Sequence, residues 1–143
     1  MEAWGARIGA AAAPPLFLAL SGELGAGKSV LARAVARGAG VAGHIPSPTF
    51  NLVFRYDAAA GLSVVHMDLY RLERPEEVRE LGWNELPAPD EVVLVEWPER
   101  AEALLPPDRW DIRLVTPPDA PELREVVAVP VGKPGPLPEP EAC

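Results

Sequence analysis

Leu16-Phe17-Leu18-Ala19-Leu20 leads into Gly22-Glu23-Leu24-Gly25-Ala26-Gly27-Lys28-Ser29, and Val30-Leu31-Ala32-Arg33-Ala34-Val35-Ala36-Arg37 follows. The apolar run reads as a buried strand, and the run behind the loop, from Ser29 on, reads as a helix. The middle segment fills every fixed position of G-x-x-x-x-G-K-[ST], the phosphate-binding loop of P-loop nucleotidases. Strand, glycine loop and helix form the context that gives this pattern meaning. The competing account is a chance glycine-rich turn. The chain has only two lysines, Lys28 and Lys133, so a lysine at this position is poorly explained by composition.

The chemistry explains the residue types. Glycines let the backbone curl so that successive N–H groups point at phosphate oxygens. The helix N-terminus adds unpaired N–H groups and the positive end of its dipole. Lys28 is placed to reach the β- and γ-phosphates, and the Ser29 hydroxyl to take a place on Mg²⁺.

At 143 residues the chain is sized for one domain, and a 48% hydrophobic content is enough for a real core. The net charge of −8 argues against a protein whose main task is gripping a nucleic-acid backbone. If nucleic acid matters, another subunit is expected to hold it. The single cysteine, Cys143, leaves no disulfide framework and no zinc spacing, which fits a reducing compartment. The apolar stretch Ile8 to Leu20 is broken by Pro14-Pro15 and runs into the loop, so it is not read as a signal peptide. No other run is long enough to span a bilayer. A cytoplasmic protein with no membrane association is expected.

Trp4 to Ala13 is expected as a short helix stopped by Pro14-Pro15. The helix from about Lys28 should end near Gly38 or Gly40. Phe50–Tyr56 and Leu62–Met67 read as strands around a glycine-containing turn, an antiparallel hairpin. Pro75–Gly82 reads as a helix with proline and two acids in its first turn. Glu91–Glu96 reads as a buried strand. Trp110–Val115 and Arg124–Val129 alternate, as half-exposed strands at one side of a sheet do. Together these give a single α/β domain: a P-loop NTPase-like mixed sheet flanked by helices, with an antiparallel hairpin, over residues 1–132. Residues 133–143 are rich in Pro, Gly and Glu and are expected to be a disordered tail.

A P-loop needs a second carboxylate to organise Mg²⁺ and water. Val92 to Val95 ends in Glu96, and a buried strand does not normally end in an acid without a reason. Asp68, in His66-Met67-Asp68-Leu69-Tyr70-Arg71, is a second acid at a strand end. It is a candidate for orienting the attacking water or completing the outer shell of the metal. A helix cap or a partner for Arg71 remains the alternative. His66 is expected to pack or hydrogen-bond locally, and His44 to be an exposed loop residue. Ser47-Pro48-Thr49 lies where nucleotide switches often carry a hydroxyl that senses the γ-phosphate, although an ordinary proline turn fits as well. Trp97 reads as core or an interface anchor.

These blocks, in this order, resemble the TsaE family of bacterial ATPases needed for threonylcarbamoyl modification of tRNA. The resemblance rests on Gly22 to Ser29, Ser47-Pro48-Thr49-Phe50-Asn51-Leu52-Val53, His66 to Leu72, and Val93-Leu94-Val95-Glu96-Trp97-Pro98-Glu99. It implies ATP and Mg²⁺ bound in a compact mixed α/β domain. By position Gly25, Ala26, Gly27, Lys28, Ser29 and Val30 match the phosphate-binding segment. Ser29 and Glu96 match the metal-contacting residues, Asp68 an acid required for activity, Thr49 a first switch, and Trp97 a tryptophan near the site. The resemblance also implies work with TsaB and TsaD, the latter transferring the threonylcarbamoyl group from its adenylate to the adenosine beside the anticodon. ATP hydrolysis would then reset that complex between turnovers, and tRNA would be met only through it.

Two departures stand out. Family members usually carry Thr-Thr after the P-loop lysine, and here Ser29-Val30 keeps the metal-binding hydroxyl. The lead before the first strand is short, so adenine specificity rests on less sequence. Arg124, in a weakly diagnostic region, is a candidate for assisting nucleotide binding that the sequence does not favour. The runner-up is a small-molecule P-loop kinase with Arg71, Arg74 and Arg79 as a lid, although Glu76, Glu77 and Glu80 make a solvated charged face the simpler account. A GTPase lacks its Asn-Lys-x-Asp motif here. A passive nucleotide-gated binding module remains a third reading. Hydrolysis by the chain alone is expected to be slow, because no arginine is clearly placed as a finger.

Overall fold

The computed structural model describes residues 1–23, 25–43, 45, 53–121 and 123–139. Its elements are α1 (Glu2–Ala11), β1 (Leu16–Gly22), α2 (Lys28–Gly38), β2 (Val53–Asp57), β3 (Ser63–Asp68), β4 (Glu91–Glu96), β5 (Arg109–Val115) and β6 (Glu125–Val131). Short 3₁₀ turns fill Ala59–Gly61, Pro75–Leu81, Trp83–Glu85 and Pro98–Leu104. The sheet order is β2-β3-β4-β1-β5-β6. The four central strands are parallel, and β2 and β6 run antiparallel at the two edges. The expected hairpin is β2–β3, paired from Val53↔Met67 to Asp57↔Ser63.

Alternation along the strands builds two cores, because successive side chains point to opposite faces. Leu16, Leu18 and Leu20 of β1 join Val64, Val92, Leu94, Ile112 and Leu114 beneath α1 and α2. Phe17 and Ala19 face the other way, with Val65, Met67, Val93 and Val95 under Val78, Trp83 and Ala101. Both α-helices therefore lie on one face, and 3₁₀ turns cover the other. Pro75–Leu81, expected as a helix, is one of those turns, closed at Gly82 with φ 80°. It buries only Val78, too little apolar face to carry a longer α-helix.

The two helices meet through glycines. A Cβ at Gly9 would lie 2.0 Å from Val35 O, and one at Gly38 would lie 2.1 Å from Ala6 O. Glycine to alanine in a helix interior ordinarily stabilises by about 1 kcal/mol. Here the sign is expected to reverse. Gly9→Ala and Gly38→Ala should each lose about 1–3 kcal/mol, as overpacked contacts do. Urea unfolding measures this, and a stabilised variant would mean that the helices do not cross this way.

The stretch 133–139 has no helix or strand, as its composition dictates, but it is not detached. Trp4 Nε1 donates to Pro138 O at 2.7 Å and Trp110 Nε1 to Gly135 O at 2.7 Å. Arg7 donates to Glu139 O at 2.8 Å, and Lys133 N to Asp108 Oδ1 at 2.8 Å. Buried indole N–H groups need acceptors, and the segment's carbonyls supply them. The tail expected from composition thus makes these contacts over residues 133–139; residues 140–143 lie outside the described set. Among the described residues no helix is long and apolar enough to cross a membrane.

Candidate functional site

β1 ends at Gly22, where φ is 146° and a Cβ would meet Leu114 O at 2.6 Å. Only glycine brings the strand end this close to β5. The loop turns through Ala26 N donating to Glu23 O at 3.0 Å. Gly27, at φ 104°, occupies the position before the first turn of α2, a conformation side chains rarely adopt. Gly25, Ala26, Gly27, Lys28, Ser29 and Val30 thus form one continuous bend into a helix start.

Lys28 is buried. Its Nζ donates to Gly22 O at 2.6 Å and to Glu23 O at 2.8 Å, and lies 4.2 Å from the centre of the Trp97 ring. Burial lowers its pKa from the ordinary lysine value, and nearby Glu96, Glu99 and Asp68 push the other way. Trp97 itself has φ 58° and ψ 51°, a left-handed conformation unusual for a bulky residue. Its ring also meets Tyr70 at 4.9 Å.

Sheet register brings the acids together. Glu96 pairs with Leu20 of β1 on one side and with Asp68 of β3 on the other. Ser29 Oγ donates to the Glu96 carboxylate, 2.9 Å from Oε1 and 3.0 Å from Oε2. His66 Nε2 lies 2.6 Å from Glu96 Oε2, with both side chains buried. Asp68 Oδ1 accepts the Tyr70 N–H at 3.0 Å.

Lys28, Ser29, Asp68 and Glu96, expected from sequence as one site, therefore converge at the ends of β1, β3 and β4. Thr49, the remaining expected catalytic residue, lies outside the described residues, as does His44. The local hydrogen bonding expected of His66 is directed at Glu96. That pairing was readable only in part: His66 and Asp68 are two apart on β3 and so share a face, but the register against β4 is not written locally. Arg124, unassigned from sequence, donates to the carbonyls of Ala26 and Gly25 at 3.1 and 3.4 Å.

The donor set fits a hard divalent cation bound with a nucleotide. Among the described residues no group of three His, Cys, Asp or Glu could hold a metal by itself. Mg²⁺ beside phosphates needs few protein ligands, and a serine hydroxyl with an adjacent carboxylate is such a set.

Asp68 carries a pH prediction. Burial raises its pKa above the ordinary 3.8, and neighbouring Glu96 adds to this; the Tyr70 N–H, His66 and Lys28 act in the opposite direction. A raised folded pKa means that the folded state holds more protons than the unfolded chain above 3.8. Stability from this group should therefore fall as pH rises from 3.8 through the raised value. Asp68→Asn should melt higher than the parent near pH 7, with the gap closing toward about pH 4. Melting curves that stay parallel across this range would show that Asp68 is not strained by its surroundings.

Comparison with known proteins shows the family and the fold. Residues 1–125 match the family model described as threonylcarbamoyl adenosine biosynthesis protein TsaE. The tRNA threonylcarbamoyladenosine biosynthesis protein TsaE of Haemophilus influenzae is 41% identical over 91 residues, 64% of this chain and 57% of that protein. The protein of the same description from Bacillus subtilis is 39% identical over 108 residues, 75% of this chain and 66% of that one. The crystal structure of Bacillus subtilis YdiB superposes with a TM-score of 0.75 at 32% identity, covering 92% of this chain and 78% of YdiB. The chain spans 57% of the length of the Haemophilus relative and 57% of a Rickettsia conorii one. With the family model matched over residues 1–125 and relatives at this identity, the chain belongs to the TsaE family.

Proposed function

We propose that this chain is a Mg²⁺-dependent ATPase subunit that supports a TsaB–TsaD complex in threonylcarbamoyl modification of the tRNA adenosine beside the anticodon. The observation that carries the reading is the Ser29–Glu96 contact at 2.9 Å, directly behind the Lys28 loop. The relatives' descriptions as tRNA threonylcarbamoyladenosine biosynthesis proteins support the wider role.

Gly25 to Val30 would bind the phosphates through backbone N–H groups and the start of α2. Lys28 would leave the carbonyls of Gly22 and Glu23 for phosphate oxygens, offsetting the charge that spreads over the transferring group. Ser29 and Glu96 would hold the metal, which would neutralise charge on the phosphates. Asp68, beside Glu96, would orient water. Thr49 would sense the γ-phosphate. Adenosine triphosphate is preferred over the guanine nucleotide because no guanine-reading motif is present.

The test is ATP hydrolysis by the chain alone and with its host's TsaB and TsaD, with Lys28→Ala as control. Slow turnover alone and a large stimulation abolished by Lys28→Ala is the expected result. Binding without stimulation would favour a passive nucleotide-gated module. Turnover that yields a phosphorylated metabolite would favour a small-molecule kinase.

A further inference from the structure

Arg124 stands immediately before β6, yet its guanidinium reaches the P-loop, 98 residues away along the chain. Nε donates to Ala26 O at 3.1 Å and a terminal nitrogen to Gly25 O at 3.4 Å. The other terminal nitrogen donates to Pro121 O and Leu123 O, both at 2.8 Å. One edge of the group thus grips two successive P-loop carbonyls, and the other closes the loop that carries it.

The placement is built by the sheet. Gly22 pairs with Leu114, and Leu114 pairs with Val126, so the chain entering β6 arrives beside the end of β1. The approach is stiffened by Pro117, Pro118 and Pro121 and by two consecutive turns, Ala120 N to Pro117 O at 3.2 Å and Leu123 N to Ala120 O at 3.0 Å.

A trans peptide is planar, and its C=O and N–H point in opposite directions. A carbonyl fixed by Arg124 therefore fixes the N–H of the next residue, directed away from the guanidinium. For Gly25 O the coupled amide is Ala26 N–H, which is already committed to Glu23 O. For Ala26 O the coupled amide is Gly27 N–H, at the left-handed bend that opens α2. That bend is free to rotate on its own, because glycine populates both signs of φ.

We propose that Arg124 is a positioning residue for phosphate binding, holding the Ala26–Gly27 peptide so that the Gly27 N–H faces the phosphates. This rests on the nucleotide reading above and deepens it. The fork geometry matters more than the charge: the three nitrogens of Arg124 reach Gly25 O and Ala26 O on one side and Pro121 O and Leu123 O on the other, which a single ammonium centre cannot do.

The test uses the full chain and the variants Arg124→Ala and Arg124→Lys. Calorimetry gives the affinities for ATP and ADP, each in Mg²⁺ and in EDTA. Hydrolysis gives KM and kcat, thermal melting reports folding, and the ¹⁵N amide shift of Gly27 reports the peptide directly. Arg124→Ala should weaken ATP and ADP alike by roughly tenfold, with or without metal, as loss of a pre-oriented charge-assisted contact does. KM should rise while kcat stays within about threefold. The Gly27 resonance should move in the nucleotide-free protein, and Arg124→Lys should restore little of the affinity. Unchanged affinity in Arg124→Ala, full restoration by lysine, or a loss that merely tracks loss of folded protein would each overturn the assignment. Failure of the unaltered chain to bind ATP would instead remove the nucleotide reading and this one with it.

Discussion

Lys28→Ala is expected to slow ATP hydrolysis by about 10²–10³-fold, the range seen when one pre-placed electrostatic stabiliser is removed from a phosphoryl- or acyl-transfer site. Affinity for ATP should fall as well, because the polyphosphate would then meet Glu96, Glu99 and Asp68 without the cation that sits among them. The lysine also organises the loop it belongs to. Its Nζ satisfies Gly22 O and Glu23 O, which lead into the bend, and its position under the Trp97 ring orders a residue in a strained backbone conformation. Lys28→Arg should be nearly as damaging, since a longer and bulkier guanidinium does not fit the buried place of the ammonium at Gly22 O, Glu23 O and the Trp97 ring. Hydrolysis and calorimetric affinity measure the effect, and circular dichroism checks that the fold survives. A variant within about threefold of the parent in both would remove Lys28 from the chemistry, and with it the central support for the ATPase reading.

The end of the sheet that carries Lys28, Ser29, Asp68 and Glu96 was legible because its signals are local. Leu16 to Arg37 contains the strand, the loop and the helix in one run, and the strand Glu91–Glu96 announces its acid by ending in it. Asp68 follows the same logic at the end of β3. What escaped is what long-range register creates. The His66–Glu96 contact requires β3 to lie beside β4 with His66 opposite Leu94. Arg124 reaches Ala26 only because β5 and β6 stack outward from β1. The left-handed Trp97 gave no sign, since nothing in Glu-Trp-Pro favours positive φ. The contacts of the stretch 133–139 escaped for a related reason. Its own composition argues for disorder, and the two tryptophan N–H groups that hold it are on α1 and β5, far away in sequence.

Glu96→Gln should separate stability from activity. Glu96 is among the most buried polar groups of the described residues, with a carboxylate neighbour, Asp68, in register beside it. Burying a charge next to a like charge is unfavourable, so this pair is better explained by function than by folding. Glutamine keeps the size and one acceptor oxygen for the Ser29 hydroxyl, and its amide nitrogen can donate to His66 Nε2 in the tautomer that leaves this nitrogen unprotonated. It removes the charge that adds to the effect of burial in raising the Asp68 pKa. Stability is therefore expected to stay within about 1 kcal/mol of the parent or to rise, as happens when a residue retained for function is neutralised. Hydrolysis should fall by about 10²–10³-fold. The effect of Mg²⁺ on ATP affinity should weaken by about 10–100-fold, the range for disturbed metal sites. ATP affinity in EDTA should be unchanged or improved, because a negative charge facing the triphosphate has gone. Three measurements decide it: urea unfolding, turnover, and calorimetry with and without Mg²⁺. If Glu96→Gln unfolded easily yet retained its turnover and its Mg²⁺ response, Glu96 would be a structural partner of His66 and Ser29, and the metal would have to be held elsewhere.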